Sequence, residues 1–167
     1  YYFYKNTSDI EILQNSHKVL NRKLQSAWDN RSAELPYKNM YEALIIASII
    51  EKEVGVLEEA SIIAGVFVNR MNVGMPLQSD PTVIYGMGKR FNGNITRKDL
   101  KKDTPYNTYT RKGLPPSPIS LPSLNSIEAA LNPAVTSALY FVAKGNRRHH
   151  FSATLKEHNR AVRKYQK

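Results

Sequence analysis

The sequence predicts an α+β fold: a helical N-terminal half packed on a small antiparallel β region, with a C-terminal helix. Three observations carry this expectation. Apolar residues recur at helical spacing up to about residue 73; Pro and Gly then become frequent, up to about Pro122; and two β-rich runs flank the Gly145–Asn146 turn near the C-terminus. Helical and β-rich segments are segregated along the chain rather than alternating, which is the α+β pattern.

The first helix is expected from about Asp9 to Arg31, capped by Thr7, Ser8 or Asp9, with Ile10, Leu13, Leu20 and Leu24 on one face. Pro36 fixes the break that follows. A second helix, about Met40 to Glu53, contains the unbroken apolar run LIIASII, and Gly55 is expected to end it. A third, about Glu58 to Asn72, has Glu58 and Glu59 in its first turn and Gly74 just past its end. Between Gly74 and Pro122, TVIYG and YNTYT read as short strands and GLPPSPISLP as a proline-stiffened loop. A short helix spans about Ser123 to Leu131. ALYFVA and HHFSAT form a hairpin across KGNRR, and a basic helix runs from about Leu155 to the end. The whole is expected to be one domain, helical over about 1–73, β-rich and looped over about 74–154, and helical again over about 155–167.

A chain of 167 residues with 41% hydrophobic content can bury one core. Its 24 Lys and Arg against 14 Asp and Glu leave a net charge of +10, which favours nucleic acid, an acidic membrane surface or a carboxylate-bearing polymer as partner. Cysteine is absent, which excludes disulfides, thiol nucleophiles and thiolate metal sites but leaves the compartment open. No apolar run approaches the ~20 residues that cross a bilayer. The chain opens YYFYKNTSD without Met, as a trimmed piece would.

Glu51 is the first candidate for chemistry. On a helix turning by about 100° per residue, Met40, Leu44, Ala47 and Glu51 fall within about 60° of one another, so the acid continues an apolar face. Apolar surroundings raise a carboxyl's proton affinity, as a general acid near neutral pH requires. The plain alternative is a solvated helix-end Glu beside Lys52. Glu53 lies about 200° further round and should not share a site with Glu51.

The segment LQSDPTVIYG gathers Gln78, Asp80, Thr82 and Tyr85, groups that hydrogen-bond sugar hydroxyls and amides, although Asp80-Pro81 is equally a turn opener. Asn107 and Tyr109 add an amide and an aromatic face suited to a carbohydrate groove. His150, on a β-rich run, is a further candidate substrate contact, with a partly exposed hairpin histidine the alternative. The four histidines lack metal-ligand spacing, and no phosphate-cradling Gly loop or Gly-x-Ser-x-Gly elbow occurs, so neither a metal nor a cofactor is expected.

ASIIEKE, VFVNRMNVGMPLQSDPTVIYGMG, YNTYTRKGLPPSPI, LYFV and HHFSATLKEHN together resemble the MltG (YceG-like) endolytic murein transglycosylases, collinearly from about Tyr1 to the end. The resemblance implies a catalytic domain that cuts the β-1,4 bond between N-acetylmuramic acid and N-acetylglucosamine inside peptidoglycan strands. It leaves 1,6-anhydro ends, with Glu51 as acid and then base and no cofactor. Gln78, Asp80, Thr82, Tyr85, Asn107, Tyr109 and His150 would orient the sugars. It also implies an N-terminal membrane helix and a LysM-like region ahead of Tyr1, an inner-membrane location with this domain outside the cytoplasm, and peptidoglycan synthases as partners. Where the family's proline-rich loop is expected to carry Gly, this chain has Ser117. The competing readings are a hydrolytic muramidase with Asp80 or Glu53 as second carboxylate, a peptidoglycan-binding module without catalysis, and a basic nucleic-acid-binding domain; for the last no recognisable motif is present.

Overall fold

A helical layer forms the body of the protein and carries a two-stranded hairpin on one side. The computed structural model describes residue 4 and residues 7–166, so the final residue of the expected C-terminal helix and residues 1–3, 5 and 6 of the expected helical part lie outside the described residues. Helix α1 spans Asp9–Asp29, α2 Met40–Glu53, α3 Ala60–Asn72, α4 Asp80–Met87, α5 Arg97–Lys101 and α6 Leu124–Leu131. The strands β1, Tyr140–Ala143, and β2, His149–Ser152, are followed by α7, Leu155–Tyr165.

Ser8 is the cap of α1: its side chain accepts from Glu11 N–H while Glu11 reaches back to the Ser8 backbone, a reciprocal box. The helix stops two residues short of Arg31, whose side chain turns back to donate to Trp28 O at 2.8 Å and to stack 4.0 Å over the Trp28 ring. Asn39 caps α2 through Glu42 N–H, giving the expected bounds. The unbroken apolar run has a plain cause: Ala43 and every residue from Ile45 to Ile50 are buried, because α1, α3 and α6 surround the helix. Ile46, Ile49, Ile50, Ile63, Phe67, Ile127 and Leu131, all at 1% exposure or less, form the centre of that core.

Contrary to expectation, Gly55 does not end α2; Val54 does, by turning extended. Gly55 is instead where the hairpin tip touches the helical body, since a Cβ there would lie 2.0 Å from Arg147 O. The expected third helix divides into a 3-10 turn at Leu57–Glu59 and α3 proper.

TVIYG is helical, part of α4, contrary to the strand reading. Pro81 sits in the first turn, where its fixed φ favours a helix start, and Thr82 Oγ1 bonds back to Ser79 O at 2.7 Å. That start signal outweighs the β-branched composition. YNTYT is likewise no strand: it turns around the side chain of Asn107. Helix α5 was not foreseen, although Thr96 and Asp99 form a reciprocal capping box at its start. The proline-rich loop lies across α2, with Ile119 N–H donating to Ser48 Oγ and Ser120 Oγ to Ser48 O, each at 2.9 Å. Ser117 is accommodated without a left-handed backbone and pairs with Tyr106 OH at 2.6 Å.

The hairpin pairs Tyr140 with Ser152 and Ala143 with His149 in antiparallel register. Two strands of four residues do not hold themselves together in water. Side chains of α3 fasten this pair: Asn69 donates to Thr136 O and Ala138 O at 2.8 and 3.0 Å, and Arg70 Nε to Leu139 O at 2.6 Å. The hairpin thereby becomes a wall against the end of α2. Thr154 caps α7 in a reciprocal box with Glu157, and α7 packs on β1 and β2.

Candidate active site

The two acids at the end of α2 face different cavities. Glu51 borders one of about 400 Å³, lined by Val56, Glu58, Ser126, Arg147 and Arg148 among others. Glu53 borders a cleft of about 530 Å³ between α2, the α3–α4 region, the hairpin and α7.

Their electrostatics diverge as well. Glu51 Oε2 accepts from Ser126 Oγ at 2.6 Å, Ser123 Oγ at 2.7 Å and Ser123 N–H at 2.9 Å. Burial acts to raise its pKa, but these donors and the Lys52 charge outweigh burial and hold the carboxyl below its ordinary value. An apolar face by itself would give a rise; the serines at the start of α6 reverse it. Those contacts make Glu51 an anchor for the N-terminus of α6, where the helix dipole also favours an anion.

The Glu53 carboxyl is shifted the other way. Burial pushes its carboxyl up to about 7, Ser79 Oγ at 2.6 Å from Oε1 pulls it partly back, and the charge of Asp80 raises it further. Ser79 is itself held: its N–H donates to Thr108 Oγ1 at 3.0 Å, and Thr82 Oγ1 bonds both Ser79 O and Thr108 Oγ1.

Of the residues expected to meet sugar, Gln78, Asp80 and Tyr109 come together beside Glu53. Tyr109 OH donates to Asp80 Oδ1 at 2.5 Å, and burial first, then that bond, pushes the phenol's pKa upward. Gln78 has φ +52, a conformation uncommon outside glycine, and its Oε1 accepts from Arg70 Nη1 at 3.2 Å, which leaves its amide N–H groups for the cleft. Arg70 is 7% exposed and also donates to Pro76 O and Leu77 O, tying this strained turn to α3.

The other expected contacts lie outside this group. Thr82 is fully buried and serves Ser79. Asn107 is fully buried too: its Nδ2 bonds Lys102 O and Leu100 O at 2.8 and 3.0 Å while Oδ1 accepts from Tyr109 N–H, so it staples a loop and has no face for a sugar. Tyr85 packs against Tyr106, with ring centres 4.8 Å apart, away from the cleft lining. His150 points to the other side of β2 and stands 5.8 Å from Tyr165, whereas its neighbour His149 lines the cleft. Sequence reasoning gave Glu53 only as the second carboxylate of a muramidase and missed Arg70, His149, His158 and Asn159 as cleft residues. Period-2 alternation on β2 could have set His149 against His150, but only the packing says which face is inward.

Among the described residues no cluster of three His, Asp or Glu forms a metal-holding group, and no helix is long and apolar enough to cross a membrane.

A helical body with a hairpin-walled cleft thus encloses one carboxyl whose pKa burial raises to about 7. The sequence matches the YceG-like family over residues 1–164, and the chain belongs to that family. It is 47% identical over 127 residues to the endolytic murein transglycosylase of Bacillus subtilis (strain 168), covering 76% of this chain and 35% of that protein. It is 44% identical over 106 residues to the endolytic murein transglycosylase of Streptococcus pneumoniae (strain D39), covering 61% of this chain and 19% of that one. A crystal structure of a YceG-like protein from Listeria monocytogenes superposes with a TM-score of 0.80 at 38% identity, over 96% of this chain and 52% of that one. The chain thus spans about half or less of the length of each of these relatives.

Proposed function

We propose that this chain is a catalytic domain that cleaves the β-1,4 bond between N-acetylmuramic acid and N-acetylglucosamine within peptidoglycan strands by lytic transglycosylation, with Glu53 rather than Glu51 as the proton carrier. The observation that carries this is the Glu53 carboxyl, raised to about 7 in a cleft with Gln78, Asp80 and Tyr109. The names of the Bacillus and Streptococcus relatives support the substrate and the reaction class.

Protonated Glu53 gives its proton to the glycosidic oxygen as the C1–O bond breaks, releasing the N-acetylglucosamine hydroxyl. The muramic 2-acetamido oxygen supports the positive charge growing at C1. The muramic C6 hydroxyl then attacks C1, and its proton returns to Glu53. The ring closes as a 1,6-anhydro sugar, the carboxyl is restored, and no water is consumed. A pKa near 7 suits a group that must both give and take a proton. Glu51, ionised and committed to three donors from Ser123 and Ser126, holds α6 in place. The charge of +10 suits a strand bearing lactyl and peptide carboxylates. The family resemblance extends this proposal to a membrane-anchored protein acting outside the cytoplasm beside peptidoglycan synthases.

One observation favours hydrolysis as a second reading: Asp80 shares the cleft and is close enough for its charge to act on Glu53, so two carboxylates are at hand. Mass spectrometry of digested peptidoglycan decides between the two. Anhydro ends support transglycosylation, whereas reducing ends one water heavier support the muramidase. Parallel digestion with the Glu53→Gln and Glu51→Gln variants tests the assignment of the acid; loss of cleavage in the second alone would return the role to Glu51.

A further inference from the structure

Glu59 and His149 form a buried pair that the proposed reaction leaves unused. Their side chains are 11% and 10% exposed, and His149 Nδ1 lies 2.8 Å from Glu59 Oε2. The His149 backbone N–H also donates to that carboxylate, at 3.0 and 3.2 Å from its two oxygens. A carboxylate only accepts, so Nδ1 carries the proton in this contact. The ring cannot easily turn. It meets Phe141 edge-on with centres 5.3 Å apart, and Phe141 meets the fully buried Phe67 edge-on at 5.9 Å. The other nitrogen, Nε2, has no hydrogen-bond partner among the described residues, is not sealed from solvent, and belongs to a residue of the cleft wall.

Pinning a strand requires only the backbone bond. A ring bond that fixes the tautomer and leaves the second nitrogen open is the arrangement by which proteins aim an imidazole at something else. We propose that Glu59 clamps the proton of His149 on Nδ1, so that Nε2 faces the cleft as an acceptor and positions the glycan through one of its hydroxyl groups. His149 is thus a sugar-positioning residue and Glu59 acts through it. The inference rests on the glycan reading of the cleft but not on which acid performs catalysis.

The test uses Glu53→Gln protein, in which a bound strand is not cut, and a peptidoglycan tetrasaccharide as probe. In protein carrying ¹⁵N-labelled histidine, NMR should show His149 protonated at Nδ1 and unprotonated at Nε2. Adding Glu59→Gln, which keeps the size of the side chain and its acceptor oxygen but offers an N–H to the ring, should move proton density to Nε2. Tetrasaccharide binding should weaken about tenfold, the worth of one hydrogen bond, with the melting temperature little changed. His149→Ala should weaken binding similarly, and the two losses should not add, because one acts through the other. A protonated Nε2 before mutation, binding indifferent to both substitutions, or additive losses would each overturn the clamp and leave the catalytic reading standing. Failure of the Glu53→Gln protein to bind the tetrasaccharide at all would overturn the glycan reading itself.

Discussion

Replacing Glu53 by Gln should separate activity from stability, and the size of the effect follows from burial. Below pH 4.5 the carboxyl is protonated in the folded and unfolded chain alike, so it contributes no pH dependence there. Between 4.5 and about 7 the unfolded chain releases its proton while the folded chain keeps it, so stability falls as pH rises through this window. Above 7 the loss levels off at about 3 kcal/mol, the free energy of moving a carboxyl pKa from 4.5 to about 7. The substituted amide cannot ionise, still offers an oxygen to Ser79 Oγ, and escapes that loss. Thermal unfolding should therefore show the Glu53→Gln protein equal to the parent at pH 4 and more stable by up to about 3 kcal/mol at pH 8. For a domain of this size that is a rise of roughly 6–12 °C in Tm. The same variant should release no muropeptide fragments. A gap in Tm equal at both pH values, or a variant less stable at pH 8, would refute the claim that burial raises this carboxyl.

Glu51→Gln should behave oppositely: at pH 7 it loses the charge-assisted bonds from Ser123 and Ser126 and should cost about 1–3 kcal/mol by denaturant unfolding, while cleavage persists. Asp80→Asn removes a charge that raises the Glu53 pKa, so the basic limb of the pH–rate profile should move to lower pH; an unmoved limb would mean that Asp80 does not sense Glu53. Gly55→Ala places a methyl group 2.0 Å from Arg147 O and should destabilise the protein by about 1–3 kcal/mol, with a matching fall in activity as the hairpin wall shifts.

The bounds of α2 were legible because the apolar run that fills the helix follows the Pro36 break and continues toward Glu53, and the structure adds Asn39 as its cap. The hairpin was legible for a similar reason, through β-rich runs about a Gly-Asn turn. Errors arose where two local signals competed. In DPTVIYG the β-branched residues suggested a strand, but Pro81 and the Ser79–Thr82 bond made a helix. Within the candidate site, Gln78, Asp80 and Tyr109 were recognisable by chemical type, and so were Thr82 and Asn107, although the latter two are spent on holding backbone. Chemical type identifies what a group can bind; it does not reveal whether a neighbour has already claimed it.

The choice between the two acids illustrates that division. Sequence by itself determined that Glu51 and Glu53 leave α2 in different directions, because the helical repeat is a property of the backbone. Tertiary structure decided what each of them meets. α6, far along the chain from α2, brings Ser123 and Ser126 to Glu51 and satisfies it, while α4 and the hairpin enclose Glu53 and leave its proton tightly held. A carboxyl's pKa is set by the atoms within a few ångströms of it, and those arrive from distant parts of the chain only when it folds.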